Sequence, residues 1–233
     1  MIRAVLFDVG GPIDTEVLHE AGVDRGIMAA FAAHGIDLSQ TALDDASQAA
    51  VSAFAPNTYR AMVWTLARRN EALARAVWAH FKERDGARAA ARGGVELRPG
   101  ISELLGDLYQ RGLKLGLAAN QPVRAVSELD RHGIGRWFAH REVSGHHGFH
   151  KPDVRLFLRA CDDLGVGPEQ TIMVGDRIDN DVVPAALLGM KTVLFRTGRH
   201  IGQQPRSIDE VPDAEVRDVT ELKASLDLLL ADS

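Results

Sequence analysis

Four short runs, IRAVLF (2–7), LKLGLA (113–118), TIMV (171–174) and TVLF (192–195), are almost continuously apolar and do not alternate apolar with polar residues. A strand of that kind needs cover on both faces, the condition of a parallel sheet layered between helices. A shorter candidate spans 137–143. Between the runs the apolar spacing becomes helical. Ile101, Leu104, Leu105 and Leu108 share one face of 101–111, and Gly112 ends it. A second helix is expected over 152–164, opening on Pro152 and stopping at Gly165, and a short one from Asp181 to Leu188 before Gly189. A last one is expected from Glu221 to Leu230, with Thr220 as its N-cap. Strand and helix in alternation imply a doubly wound parallel α/β sheet.

Residues 15–92 interrupt that rhythm. They hold no strand pattern, are rich in alanine and helical spacing, and break at Gly35–Asp37 and Ala55–Asn57. Gly93–Gly94 and Arg98–Pro99–Gly100 mark the return. The expected organisation is an α/β core of 1–14 and 93–233 with a helical lobe of 15–92 inserted after the first strand.

Composition removes several alternatives. With 45% hydrophobic and 25% charged residues the chain is far from a disordered composition. A net charge of −5 gives no bulk attraction to nucleic acid or to an anionic membrane. The N-terminus lacks an uncharged signal-like run, and no stretch approaches the ~18 apolar residues of a span, so no membrane partner and a cytoplasmic location are expected. Cys161 is the single cysteine; no intrachain disulfide can form, and its apolar surroundings mark a buried core residue.

In an open parallel sheet, ligands bind beyond the carboxyl ends of the strands. The first strand ends at Asp8, the second at Ala119–Asn120, and the fourth at Gly175–Asp176, followed by Asp179, Asn180 and Asp181; Lys151 precedes Pro152. One cleft can therefore gather Asp8, Asp176, Asp181, Asn120 and Lys151. Three carboxylates together call for a cation, and Mg²⁺ suits hard oxygen donors and phosphate. An aspartate can attack phosphorus, and a lysine can neutralise the charge that develops.

These residues resemble the signature of the haloacid dehalogenase superfamily. Val5-Leu6-Phe7-Asp8-Val9-Gly10-Gly11 matches its first motif, Leu115-Gly116-Leu117-Ala118-Ala119-Asn120 the second, Lys151-Pro152-Asp153 the third, and Val174-Gly175-Asp176 with Asn180-Asp181 the fourth. The resemblance implies a hydrolase with Asp8 as nucleophile. It implies Mg²⁺ held by Asp8, Asp176 and the backbone carbonyl of Gly10, with Asp181 in support. It places Lys151, Asn120 and Gly11 against phosphate. Residues 15–92 stand where the family carries a helical cap.

Two positions depart from the family's phosphatases. Gly10 stands where a second Asp protonates the leaving group, and Ala119 where Ser or Thr donates to phosphate. Acid–base help of that kind contributes about 10²–10⁴-fold. Asp14 is a candidate substitute, against its reading as a helix N-cap or first-turn acid. Three functions follow: a phosphatase of a small phosphorylated metabolite, a weakened family member that binds a metabolite or partner, and a 2-haloacid dehalogenase. Dehalogenases of the family carry an aromatic residue in place of Gly10 and an Arg soon after, and this chain has neither. His140, His146, His147 and His150 are expected in a solvated loop and not on a transition metal, and Asp179 as a solvated neighbour. Arg60 and Arg68 are candidates to reach an anionic substrate, Arg84, Arg88 and Arg92 a solvated stripe, and Trp64 and Trp78 packing residues of the helical lobe. The chain is expected as a monomer or homodimer.

Overall fold

The computed structural model describes residues 1–86 and 94–231, and of 84–86 the backbone alone. The stripe of Arg84, Arg88 and Arg92 therefore lies outside the described side chains. The chain divides into two compact units, Met1–Thr15 with Val95–Ser233, and Glu16–Gly94.

The first unit is a six-stranded parallel sheet: β1 (Ala4–Phe7), β2 (Lys114–Leu117), β3 (Phe138–His140), β4 (Thr171–Gly175), β5 (Lys191–Phe195) and β6 (Ala214–Val216), in the order β3-β2-β1-β4-β5-β6. β1 lies between β2 and β4, with Phe7 level with Leu117 on one side and Val174 on the other. The chain leaves β1 toward one half of the sheet and later fills the other, so a topological switch lies at its end. The alternation along β1 explains the apolar run: Val5 and Phe7 join a core with Leu105, Leu108, Leu222 and Leu226, while Ala4 and Leu6 join another with Phe157, Ala160, Cys161 and Met173. Both faces are covered, as the continuous apolar pattern required.

Among the described residues the α-helices, in chain order, are α1 (Val17–Ala32), α2 (Gln40–Ser52), α3 (Thr58–Leu66), α4 (Glu71–His80), α5 (Ile101–Gln110), α6 (Arg124–Arg131), α7 (Ser144–His147), α8 (Arg155–Leu164), α9 (Val183–Leu187) and α10 (Val219–Ala231). Glu16–Gly94 holds α1 to α4 and a π-helical turn, Phe81–Gly86. Its core joins Ile27 and Phe31 of α1, Leu43 of α2, Met62 of α3 and Val77 of α4. Ser39, Asn57 and Asn70 cap α2, α3 and α4 by accepting from Ala42, Arg60 and Leu73 amides at 3.2, 2.9 and 3.1 Å. Trp78 packs on this core, and Arg60 lies 5.9 Å from its ring centroid; Trp64 is exposed.

Several elements differ from expectation. β6 carries no sequence signal, being three residues long with Glu215 in the middle. α8 starts at Arg155, where Asp153 turns its carboxylate onto the Arg155 amide (3.0 Å). α10 is capped by Asp218, which accepts from Glu221 N at 2.8 Å, and not by Thr220. The segment before α9 is a π-helical turn, Ile178–Val182. Among the described residues no helix is long and apolar enough to cross a membrane.

Candidate active site

Asp8 is the first residue past β1, and its amide still donates to the Val174 carbonyl at 2.9 Å, so the sheet itself aims the residue. Its Oδ1 accepts from Val9 N at 2.7 Å and its Oδ2 lies 2.8 Å from Lys151 Nζ. The same ammonium donates to Asp181 Oδ1 at 2.5 Å, and Asp181 Oδ2 accepts from Arg177 N at 3.0 Å. The side chains of Lys151 and Asp181 are each 1% exposed, that of Asp8 13%. Asp176, buried at the end of β4, completes the group: one carboxylate oxygen from each of Asp8, Asp176 and Asp181 lies within 4.8 Å of the others.

Two glycines allow this crowding. A Cβ on Gly11, whose φ is +85°, would fall 2.6 Å from Asp176 Cβ, and one on Gly175 would fall 2.2 Å from Asp181 Cγ. Side chains there would displace the carboxylates. Arg98 secures the loop from outside: its Nε donates to the Gly11 carbonyl and an Nη to Thr197 Oγ1, both at 2.8 Å.

The charges are out of balance. Burial pushes the Asp8 carboxyl above its ordinary value, Asp176 pushes the same way, and Lys151 opposes both. Burial likewise raises Asp181, again against Lys151. Burial alone would lower the Lys151 ammonium; Asp181 and Asp8 overcome it and hold it above its ordinary value. Asp8 and Asp181 thus share one ammonium in a poorly solvated place, with the Asp176 carboxylate beside them, a set of oxygen donors that fits a hard divalent cation.

The other sequence candidates fall around this group. Asn120 is bound to the Lys151 backbone, its Oδ1 accepting from Lys151 N (2.7 Å) and its Nδ2 donating to Lys151 O (3.1 Å). Gly11 gives its amide to the Asp14 carbonyl at 2.9 Å, so the group expected to meet phosphate is used inside the turn. Asp14 Oδ1 accepts from Glu96 N at 3.0 Å, tying the outgoing chain to the returning one. Asp179 is not a solvated neighbour; Arg177 holds it at 2.6 Å and Gln203 at 2.9 Å. His140 is buried at the end of β3, not looped out, and pairs with Asp163 at 2.9 Å; burial lowers its pKa. His146 Nδ1 accepts from the Val143 amide at 3.1 Å, and the histidines form no metal-ligating group among the described residues. Sequence reasoning missed His200, whose Nδ1 lies 3.5 Å from Asp176 Oδ2, as well as Arg98 and Gln203.

A model of haloacid dehalogenase-like hydrolases matches residues 2–189, from the strand that aims Asp8 to the end of the helix after Asp181. The chain belongs to that family. Glyceraldehyde 3-phosphate phosphatase of Methanopyrus kandleri is 37% identical over 119 residues, 51% of this chain and 51% of the relative. Phosphoserine phosphatase of Thermus thermophilus is 34% identical over 131 residues, 54% of this chain and 49% of the relative. The chain spans about half the length of the curated relatives it matches. A structure described as a HAD phosphatase from Thermococcus onnurineus superposes with a TM-score of 0.60 at 22% identity, covering 97% of this chain and 98% of the other. That likeness establishes the family's fold, a sheet with Asp8 and Asp176 at the carboxyl ends of neighbouring strands.

Proposed function

We propose that the chain is a Mg²⁺-dependent phosphatase of a small phosphorylated metabolite, working through an aspartyl-phosphate on Asp8. The observation that carries this is the setting of Asp8: an aspartate at the switch point of the sheet, held by Val9 N and Lys151, with two further buried carboxylates beside it. The relatives named phosphatases support the same reading. Asp8, Asp176 and the Gly10 carbonyl, supported by Asp181, would hold Mg²⁺, which when bound neutralises the carboxylates and the phosphoryl oxygens.

In the first step an Asp8 carboxylate oxygen bonds to phosphorus and the phosphorus–oxygen bond of the ester breaks. Gly10 has no side chain to protonate the leaving oxygen, so water supplies that proton. Lys151, fixed by Asp181 and by the grip of Asn120 on its backbone, neutralises charge on Asp8 and the transferring group. Water then attacks phosphorus, the bond to Asp8 breaks, and inorganic phosphate leaves with the carboxylate restored.

A second reading rests on Gly10 and Ala119: with both helpers absent the site would bind a phosphorylated ligand with little turnover. Hydrolysis of a panel of phosphate esters, with and without Mg²⁺ and with Asp8→Asn as control, separates the two. Mg²⁺-dependent phosphate release that vanishes in Asp8→Asn is the expected result. No release from any ester, at enzyme concentrations that would reveal a ~10⁴-fold handicap, would sink the phosphatase and favour binding.

A further inference from the structure

After β5 the chain makes a short turn, Arg199–Gly202, which delivers Gln203 under the acidic loop. Gln203 is 1% exposed, and both ends of its amide are engaged. Oε1 accepts from Ile178 N at 2.7 Å, and Nε2 donates to Asp179 Oδ1 at 2.9 Å. Its own backbone is anchored on both sides. Its amide donates to the His200 carbonyl at 2.9 Å, and its carbonyl accepts from Arg196, whose guanidinium is held in turn by Glu215 of β6 at 2.8 Å. Within the same turn His200 reaches Asp176.

Ile178 and Asp179 lie in the middle of the loop that runs from Asp176 to Asp181. Next to them the Arg177 amide holds Asp181 Oδ2 at 3.0 Å. Gln203 thus grips the span between the two carboxylates without touching either. We propose that Gln203 is a positioning residue, fixing the Asp176–Asp181 loop so that both carboxylates stand ready for a divalent cation. This rests on the Mg²⁺ site of the proposed function. The Ile178 side chain is fully buried and its amide is satisfied by Gln203. Removal of that acceptor forces the loop to seek another partner, and the carboxylates move with it.

The test is calorimetric titration of the full chain with MgCl₂, alongside thermal melts in chelator. Loss of a group that orients metal ligands typically weakens affinity about 10–100-fold. Gln203→Leu is expected to bind Mg²⁺ weaker by that factor while still melting cooperatively. Gln203→Glu keeps the acceptor for Ile178 N but sets a carboxylate against Asp179, and is expected to bind weakly too. Adding Asp179→Asn to it restores a donor–acceptor pair and is expected to recover most of the affinity. A general loss of stability would lower the melting temperature without this pattern of weakening and rescue. Folded Gln203→Leu with wild-type affinity overturns the inference. If Gln203→Leu does not fold, Gln203→Glu decides: no weakening, or weakening without rescue by Asp179→Asn, overturns it. A wild-type chain that takes up no Mg²⁺ overturns the metal reading and this inference with it, an outcome distinct from the other two.

Discussion

Lys151→Met removes the ammonium that bridges Asp8 and Asp181 and keeps roughly the length of the side chain. The wild-type contacts are 2.8 and 2.5 Å, and the Lys151 side chain is 1% exposed, so solvent screening gives little relief. Breaking a buried pair by removing one partner costs about 3–5 kcal/mol, because the remaining charge is left uncompensated. At about 2–4 °C per kcal/mol for a chain of this size, the melting temperature in chelator at neutral pH should fall by roughly 6–20 °C. The pH dependence has a definite sign. Asp8 and Asp181 have folded pKa values raised above the ordinary 3.8. Such a group contributes stability below its unfolded pKa and loses it as pH rises through the folded one. Lys151 restrains that rise; without it both carboxyls bind protons still more firmly in the folded state. The deficit of Lys151→Met relative to wild type should therefore shrink as pH falls from 7 toward 5. Mg²⁺ at ~100 times its Kd should return about 2.7 kcal/mol. Urea unfolding of both proteins at pH 5 and 7, with chelator and with Mg²⁺, measures each term. A loss under about 1 kcal/mol at pH 7 in chelator, or one that does not shrink on acidification, would refute the charge imbalance argued for the site.

Gly10→Asp should raise kcat for alkyl phosphates by about 10²–10⁴-fold, with a much smaller gain on p-nitrophenyl phosphate, whose leaving group needs no proton; steady-state phosphate release on both esters checks it. Gly175→Ala should cost about 1–3 kcal/mol by overpacking and weaken Mg²⁺ binding, since the new Cβ meets Asp181 Cγ at 2.2 Å; thermal melts and Mg²⁺ titration read both. Asn120→Ala leaves Lys151 N and O without their side-chain partner, so urea unfolding should show a loss of about 1–3 kcal/mol and kcat should fall with it.

Much of this architecture is legible in the linear pattern. The apolar runs of β1, β2, β4 and β5 are continuous because both faces are covered, a local consequence of burial that any window of the chain displays. Asp8 and Asp176 stand out for the same reason: each directly follows such a run, and the strand ends of a parallel sheet are where ligands collect; Lys151 adjoins no such run and stands out only beside Pro152 in the Lys151-Pro152-Asp153 motif. β6 was invisible because three residues around Glu215 carry no periodicity; β5 recruits it through pairing. His140 looked solvated in a glycine-rich stretch, and only the packing of β3 and Asp163 buries it.

By itself, then, the sequence determined the layering, the interruption by helices, and the residues whose chemistry the site would use, because all of these follow from neighbours along the chain. The tertiary structure alone decided how those residues are employed. Asn120 grips the Lys151 backbone, Gly11 turns its amide inward, and Asp14 ties the returning chain. Arg98 and Gln203, 87 and 25 residues from their partners, lock the loops from outside. Contacts of that separation leave no periodic trace. They exist only once the sheet has closed and the left-handed turn at Gly11 has brought the first strand's loop against Asp176.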